Sequence, residues 1–404
     1  MNKVFVQNNI HPIFAKALID VDNLSGEQLR KITRIASIDS VNFELVTASE
    51  KNVNQLLDNA KKFPSEFIVN DEFRNKMIRD GFDFCISNLV PNNAGRVFYM
   101  PLINFSDFME LIRIILIHNN QFYLETNFKV DDFLYLHSRS NYLFPEYQRI
   151  WSFAVDYEMG TPYFETLDSL SNRLKQLIIS FDECSFYCFE NRGNDSITYA
   201  IFYFDSFVSQ LASIFSNLAN AINYFYGINF SSRKVDLRKE VASQFLNVVN
   251  GVDHQLHDKI MDSDFQDFLK LIVNPLRNDI EHNNIPQGVN SKAAISMIIS
   301  ENTWDLISKL NRRQPQECFL NPNYSAKDIY ISIYPVLKLL MIFGRKYINY
   351  VMREFDLHWK FENMNKSAEE KRFNPQPNPM QYECENSLYF MTYWLPVMDK
   401  HNEL

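Results

Sequence analysis

Apolar residues recur at steps of three and four through most of the second half of the chain. Between residues 199 and 226, Phe204, Phe207, Val208, Leu211, Ile214, Phe215, Leu218, Ile222 and Phe225 keep one stripe apolar for about seven helical turns. The opposite face carries Ser206, Ser209, Gln210, Ser213, Asn217 and Asn220, and Gly227 supplies a C-terminal stop. The same spacing predicts helices over 167–181, 235–249, 265–282, 291–310 and 329–355. Pro335 falls inside the last of these, either as a kink or as its true start. Long helices with connections of this length describe a bundle, here over residues 165–360.

Before residue 129 the pattern alternates. Residues 3–7, 42–47, 96–100 and 121–128 read as short strands, and 26–36, 49–62 and 105–118 as helices. That alternation predicts a small α/β domain over 1–128, with no catalytic constellation legible in it. Residues 129–164 are aromatic and irregular and read as a connector; His137, Arg139 and Arg149 within it read as scattered surface side chains, phosphate contact being the alternative. Residues 361–404 read as a linker, with Asn374-Pro375-Gln376-Pro377-Asn378-Pro379, followed by an aromatic tail that docks back on the body. The expected fold class is α+β overall and mainly α: a helical bundle preceded by a smaller α/β domain.

Composition narrows the function classes. Of 404 residues 46% are hydrophobic and 22% charged, which is globular usage, and only 9 are glycine. So few glycines disfavour nucleotide-cradling loops, and neither GxxxxGK[ST] nor GxGxxG occurs, so no ATP, GTP or dinucleotide cofactor is expected. A net charge of −9 argues against wrapping long nucleic acid, whose affinity comes from phosphate neutralisation, and leaves room for a small cleft that takes one loop or end. Five scattered cysteines, no basic-then-apolar leader and no run of ~18 apolar residues predict a soluble, cytoplasmic chain with reduced thiols and no membrane segment.

The stretch with the most chemistry ends the helix predicted over 265–282, inside which Pro275 marks either a kink or a start. Arg277, Asn278 and His282 fall within six residues, just ahead of the breaker Ile285-Pro286-Gln287-Gly288. Asn278 and His282 are one turn apart, and the long side chain of Arg277 reaches the same rim. A guanidinium forks onto phosphate oxygens, and an imidazole both takes and gives a proton near neutral pH. The plainer reading is a helix C-terminus carrying cations that its dipole favours. Glu281 is four residues from Arg277 and able to pair with it; Asp205, amid aromatics, is a second acidic partner or an ordinary polar-face residue. His254 and His257 have metal-ligand spacing but read as a solvated loop, and Cys184 and Cys188 as buried thiols, so no metal site is expected.

Arg277-Asn278-x3-His282 resembles the signature of the HEPN superfamily, helical-bundle proteins that are mostly metal-independent RNA endonucleases or RNA binders. The order of helices over 165–360 is similar to the family's four- or five-helix bundle. The resemblance implies transesterification through the ribose 2′-OH. His282 would be general base or acid, Arg277 would stabilise the phosphorane, and Asn278 would orient phosphate or histidine. It further implies a C2 homodimer placing two motifs across one cleft, RNA as substrate, and a toxin or anti-phage (abortive-infection) role, with a regulatory partner or trigger at the N-terminal domain. The other classes are a catalytically inactive HEPN-like module that binds RNA or protein, and a helical dimerisation scaffold.

Overall fold

The computed structural model describes residues 16–36, 44–48, 84–89, 96–97, 100–118, 132–190, 194–283, 289–291, 294–313, 320, 322–325 and 328–364. They fall into two units, residues up to 121 forming most of the first. The strands expected over 3–7 and 121–128, the helix over 49–62 and the tail beyond 364 lie outside the described residues.

In the first unit, Ala17, Leu18 and Ile19 are an apolar run buried on both faces, as the inner strand of a parallel sheet requires. This is β1 (Lys16–Asp20). It leads through α1 (Gly26–Ala36) to β2 (Glu44–Ala48). Ser25 and Gln28 bond reciprocally to each other's backbone nitrogens, at 3.2 and 2.8 Å, a capping box that fixes where α1 starts. Then come β3 (Phe84–Ile86), β4 (Arg96–Val97), β5 (Met100–Ile103) and α2 (Phe105–His118). The sheet order is β2-β1-β3-β5-β4, parallel except for β4. Residues 96–100, expected as one strand, instead hold β4 and the start of β5, which pair antiparallel.

The second unit is mainly helical. Residues 132–157, expected as an irregular connector, are two helices, α3 (Asp132–Leu143) and α4 (Pro145–Tyr157). Pro145 sits at the first turn of α4, where its missing N–H costs nothing. Next are α5 (Pro162–Glu190) and α6 (Asn194–Phe225), 29 and 32 residues long. Cys184 Sγ meets Ala200 O (3.3 Å), Ser180 meets Ser206 (2.9 Å) and Ser169 meets Asn217 (3.2 Å), so the two helices run antiparallel. Gly227, at φ +63°, ends α6 in the left-handed conformation that a glycine adopts without strain.

The helix expected over 235–249 covers only α7 (Ser243–Val252). Residues 235–242 are instead a loop: Arg238 N bonds Asp236 Oδ1 (2.8 Å), and buried Gln266 ties Lys239 N and Leu237 O. An Asp turn and a tertiary clamp override helical spacing there. After α8 (His254–Ile260) come α9 (Ser263–Val273) and α10 (Pro275–Asn283), where a helix kinked or restarted at Pro275 was expected. Pro275 has no N–H and forces a start, so Asn274 (φ −125°, ψ −76°) breaks the two apart.

Residues 291–310, expected as a helix, begin as strands: β6 (Val289–Ser291) and β7 (Ala294–Ile299) precede α11 (Glu301–Asn311). Then come β8 (Asn323–Ser325) and β9 (Asp328–Ser332), and β9 pairs antiparallel with both β7 and β8. Pro335 lies in the first turn of α12 (Ile333–Arg353), marking the helix start rather than a kink, and α13 (Leu357–Met364) closes the described chain. Helices α6, α9 and α12 meet in an aromatic core. Phe215 lies 5.5 Å from Phe265 and 5.8 Å from Phe268, and Tyr347 packs on both at 4.7 and 5.5 Å. Burying a phenylalanine is worth roughly 1.5–3 kcal/mol, so this cluster is a main tie between these helices. No helix among the described residues is long and apolar enough to cross a membrane.

Candidate functional site

The Arg277 motif sits on α10, a short helix that packs against α6, α9 and α11. Leu276 and Ile280 are buried, 0% and 6% exposed, one turn apart and facing inward. Arg277 and Asn278 point outward and are exposed. Asn278 is held at its base: its N–H donates to Asn274 O (2.9 Å) and its Nδ2 to Asn274 Oδ1 (2.8 Å). Asn274 thereby supplies a backbone acceptor to the first turn of α10 across the break. Position 282 follows one turn after Asn278 within the same helix, and the side chains of Glu281 and His282 lie outside the described ones. Asp205 is half-buried on α6. Two of the three motif side chains thus share an exposed helix face, with the third position continuing the helix.

Asp279, between the motif residues, carries a structural role that the spacing argument missed. It is 5% exposed and accepts hydrogen bonds from Ser300 N and Ser300 Oγ, each 2.9 Å, and from Thr303 Oγ1 at 2.5 Å. Ser300 is the N-cap of α11, so the carboxylate lies at the positive end of that helix, where the dipole favours an anion. The signal was legible as Ser300-x-x-Thr303 ahead of an apolar-periodic stretch, but the helix predicted over 291–310 ran through it. Further along, Lys309 and Arg313 of the α11 end pair with Asp267 and Asp264 of α9. The motif helix is therefore braced from behind by buried contacts to α11, and α11 is itself tied to α9 by ion pairs.

The three basic side chains of the former connector are packed, not scattered over the surface. Arg139, 4% exposed, donates to Tyr135 OH (2.6 Å) and pairs with buried Asp182 at 3.4 Å. Arg149 donates to Met352 O, Arg353 O and Phe355 O at 2.6, 2.9 and 3.0 Å. It gathers carbonyls at and just beyond the C-terminus of α12, where the dipole favours a cation. His137 is half-buried, its Nε2 3.1 Å from Asn141 Nδ2. These contacts assign Arg139 and Arg149 to the framework.

An open cleft of about 510 Å³ lies between α8 and α12. It is lined by Gln255, Asp258, Lys259, Asp262, Tyr350 and Glu354. Its three carboxylates outnumber its one ammonium, and Lys259 Nζ is bonded to Tyr350 OH (2.5 Å), a contact that raises the lysine pKa. This balance repels phosphate. The His254–His257 pair, expected in a loop, lies on α8.

In the first unit the strand order reverses between β1 and β3, the place where open α/β sheets bind ligands outside their carboxyl ends. Asp20 ends β1 there and is fully buried. It accepts from Ser87 Oγ (2.6 Å), Asn23 Nδ2 (2.9 Å) and Asp22 N (3.3 Å). Asn88 Nδ2 bridges Asn23 O (3.0 Å) and Gln28 Oε1 (2.9 Å). These bonds consume the carboxylate in bracing the two loops. The sequence signal was an apolar run, Ala17-Leu18-Ile19, stopping at Asp20-x-Asp22-Asn23.

Comparison with protein-family models, with curated proteins and with solved structures finds no match to this chain.

Proposed function

We propose that the helical unit is a metal-independent endoribonuclease of HEPN type, acting at the exposed face of α10. The observation that carries the reading is the placement of Arg277 and Asn278 together on that face, on a helix anchored from behind by Leu276, Asp279 and Ile280. A guanidinium so placed offers two parallel donors to a phosphate and stabilises charge building on the phosphorane. Asn278, its base fixed by Asn274, orients the phosphate. His282 takes the 2′-OH proton or gives one to the leaving 5′-oxygen, with Glu281 and Asp205 as supporting acids. One histidine serves one proton transfer conveniently, so the reading includes a C2 homodimer with two motifs across one cleft. RNA is the substrate because the nucleophile is the 2′-OH. A toxin or anti-phage role in the cytoplasm, triggered through the N-terminal unit, completes the proposal.

One observation favours a second reading, an inactive HEPN-like module that binds RNA or a protein. The chain carries a net charge of −9, and acidic groups dominate the one cleft described above. EDTA-treated full-length protein incubated with total RNA separates the two. The nuclease yields fragments ending in 2′,3′-cyclic phosphate, lost in Arg277→Ala and His282→Ala. RNA left intact by wild type, but retained in a gel-shift assay, supports the binding module instead.

A further inference from the structure

On α8, two imidazoles converge on one carboxylate. His254 Nε2 is 3.4 Å from Asp258 Oδ2, and His257 Nδ1 is 3.5 Å from Asp258 Oδ1. Ligand atoms bound to one tetrahedral zinc at about 2.0–2.2 Å lie roughly 3.3–3.6 Å apart, and each imidazole stands at that distance from one carboxylate oxygen, His254 from Oδ2 and His257 from Oδ1. All three donor atoms lie within 4.8 Å of one another, and the exposed His254 ring closes the remaining edge by side-chain rotation.

The hydrogen bonds around the cluster favour a cation over a plain ion pair. His254 Nδ1 lies 2.7 Å from Asn250 Oδ1, an acceptor, so Nδ1 donates there and Nε2 is the ring nitrogen that faces Asp258. An outer partner of this kind fixes the tautomer of metal-ligating histidines. His257 Nδ1 is buried and has no hydrogen-bond partner among the described residues. A buried ring nitrogen without a donor is costly unless something satisfies it, and a metal ion does so. The neighbouring carboxylate of Asp253 is committed elsewhere, to Leu256 N (2.9 Å) and Tyr226 OH (2.5 Å).

We propose that His254, His257 and Asp258 bind one divalent transition metal of the zinc class on α8, with Asn250 as the outer-shell partner of His254. Two imidazoles and a carboxylate are the donor set for such ions, and three protein ligands leave a position open to water. The site is independent of the nuclease reading, whose chemistry uses no metal.

The test is calorimetric titration of Zn²⁺ into EDTA-stripped, dialysed full-length protein, with Co²⁺ absorption reporting the coordination. One ion per chain is expected. His254→Ala, His257→Ala and Asp258→Asn should each weaken binding at least tenfold, and Asn250→Ala by roughly tenfold. Zn²⁺ should also raise the thermal midpoint of wild type, by linkage, and not that of His254→Ala. His254 is 73% exposed, so its variant keeps the fold and remains a fair comparison. No saturable binding by wild type, or equal affinity in wild type and His254→Ala, overturns the proposal.

Discussion

The carboxylate of Asp279 and the hydroxyl of Thr303 are 2.5 Å apart, joining the motif helix to the first turn of α11. The same carboxylate holds Ser300 through both its backbone and side chain. Hydrogen bonds to a buried charge contribute about 1.5–3 kcal/mol, and a donor left buried without its acceptor adds its own desolvation cost. Asp279→Ala should therefore destabilise the helical unit by roughly 2–4 kcal/mol. Asp279→Asn keeps the shape and sets its amide oxygen in the place of Oδ2, which accepts all three bonds, so it loses only the charge and should cost less. Urea unfolding followed by far-UV circular dichroism measures both, and a change below about 0.5 kcal/mol for the alanine variant would remove the bracing role.

Arg277 tests whether the exposed face acts or merely exists. Substitutions at exposed positions usually change stability by no more than about 0.5 kcal/mol, and Arg277 is exposed while Asp279 is not. Loss of one charge-stabilising donor in a transition state typically costs about 10²–10³ in rate. Arg277→Ala should then keep the unfolding midpoint and lose RNA cleavage by that factor, whereas Asp279→Ala lowers the midpoint. Cleavage of total RNA that persists in Arg277→Ala at the wild-type rate excludes the assigned role.

Much of this architecture was legible in the sequence, and the failures have physical causes. The spans of α1 and α2 were readable because the apolar period is regular through both. Two helices were missed at 132–157 because their buried faces are partly polar: Arg139, Asn141 and Gln148 are almost fully buried there, which blurs the apolar stripe. Ala294–Ile299 is a short apolar run, which periodicity cannot assign to strand or helix; its pairing with β9 decides, and that is a tertiary contact. At the candidate site, the motif residues were visible and Pro275 was readable as a kink or a helix start, but the inward role of Asp279 was not. That role depends on what α11 places behind the helix. Asp20 escaped notice for a related reason: its principal partner, Ser87, is 67 residues away.

Gly344 of α12 lies where a side chain would strike α6. A Cβ there would come 2.8 Å from Leu211 Cδ1, and Leu211 is completely buried. Alanine gains about 1 kcal/mol over glycine in helix propensity, while forcing a packed leucine aside costs about 1–3 kcal/mol. Gly344→Ala should thus destabilise by up to about 2 kcal/mol, and Gly344→Leu by considerably more. Leu211→Ala alone should cost about 2–5 kcal/mol through its cavity. The two changes together should cost less than their sum, because each relieves the other. Strict additivity in a double-mutant cycle, or a stabilised Gly344→Ala, would show that α6 and α12 do not meet so closely.

Cys85 gives the pH-dependent expectation. It lies in the inner strand β3, fully buried, and its pKa is pushed from an ordinary 9.0 up to about 12, first by burial and then by the charge of nearby Asp20. The thiolate is the reactive form, so Cys85 in the folded chain should resist alkylation at pH 8 and react fully in denaturant. The folded state holds this proton more tightly than the unfolded state does. The resulting stability is fully present below pH 9 and falls as pH rises from about 9 through about 12. Cys85→Ala removes the titrating thiol and leaves a small cavity. It should lower stability at neutral pH and flatten the loss above pH 9, whereas equal slopes for wild type and variant would mean that Cys85 ionises freely in the fold. Mass-spectrometric mapping of iodoacetamide adducts at pH 8 gives the independent check: modification of Cys85 in the native protein at the rate of the denatured chain would place it outside the sheet interior.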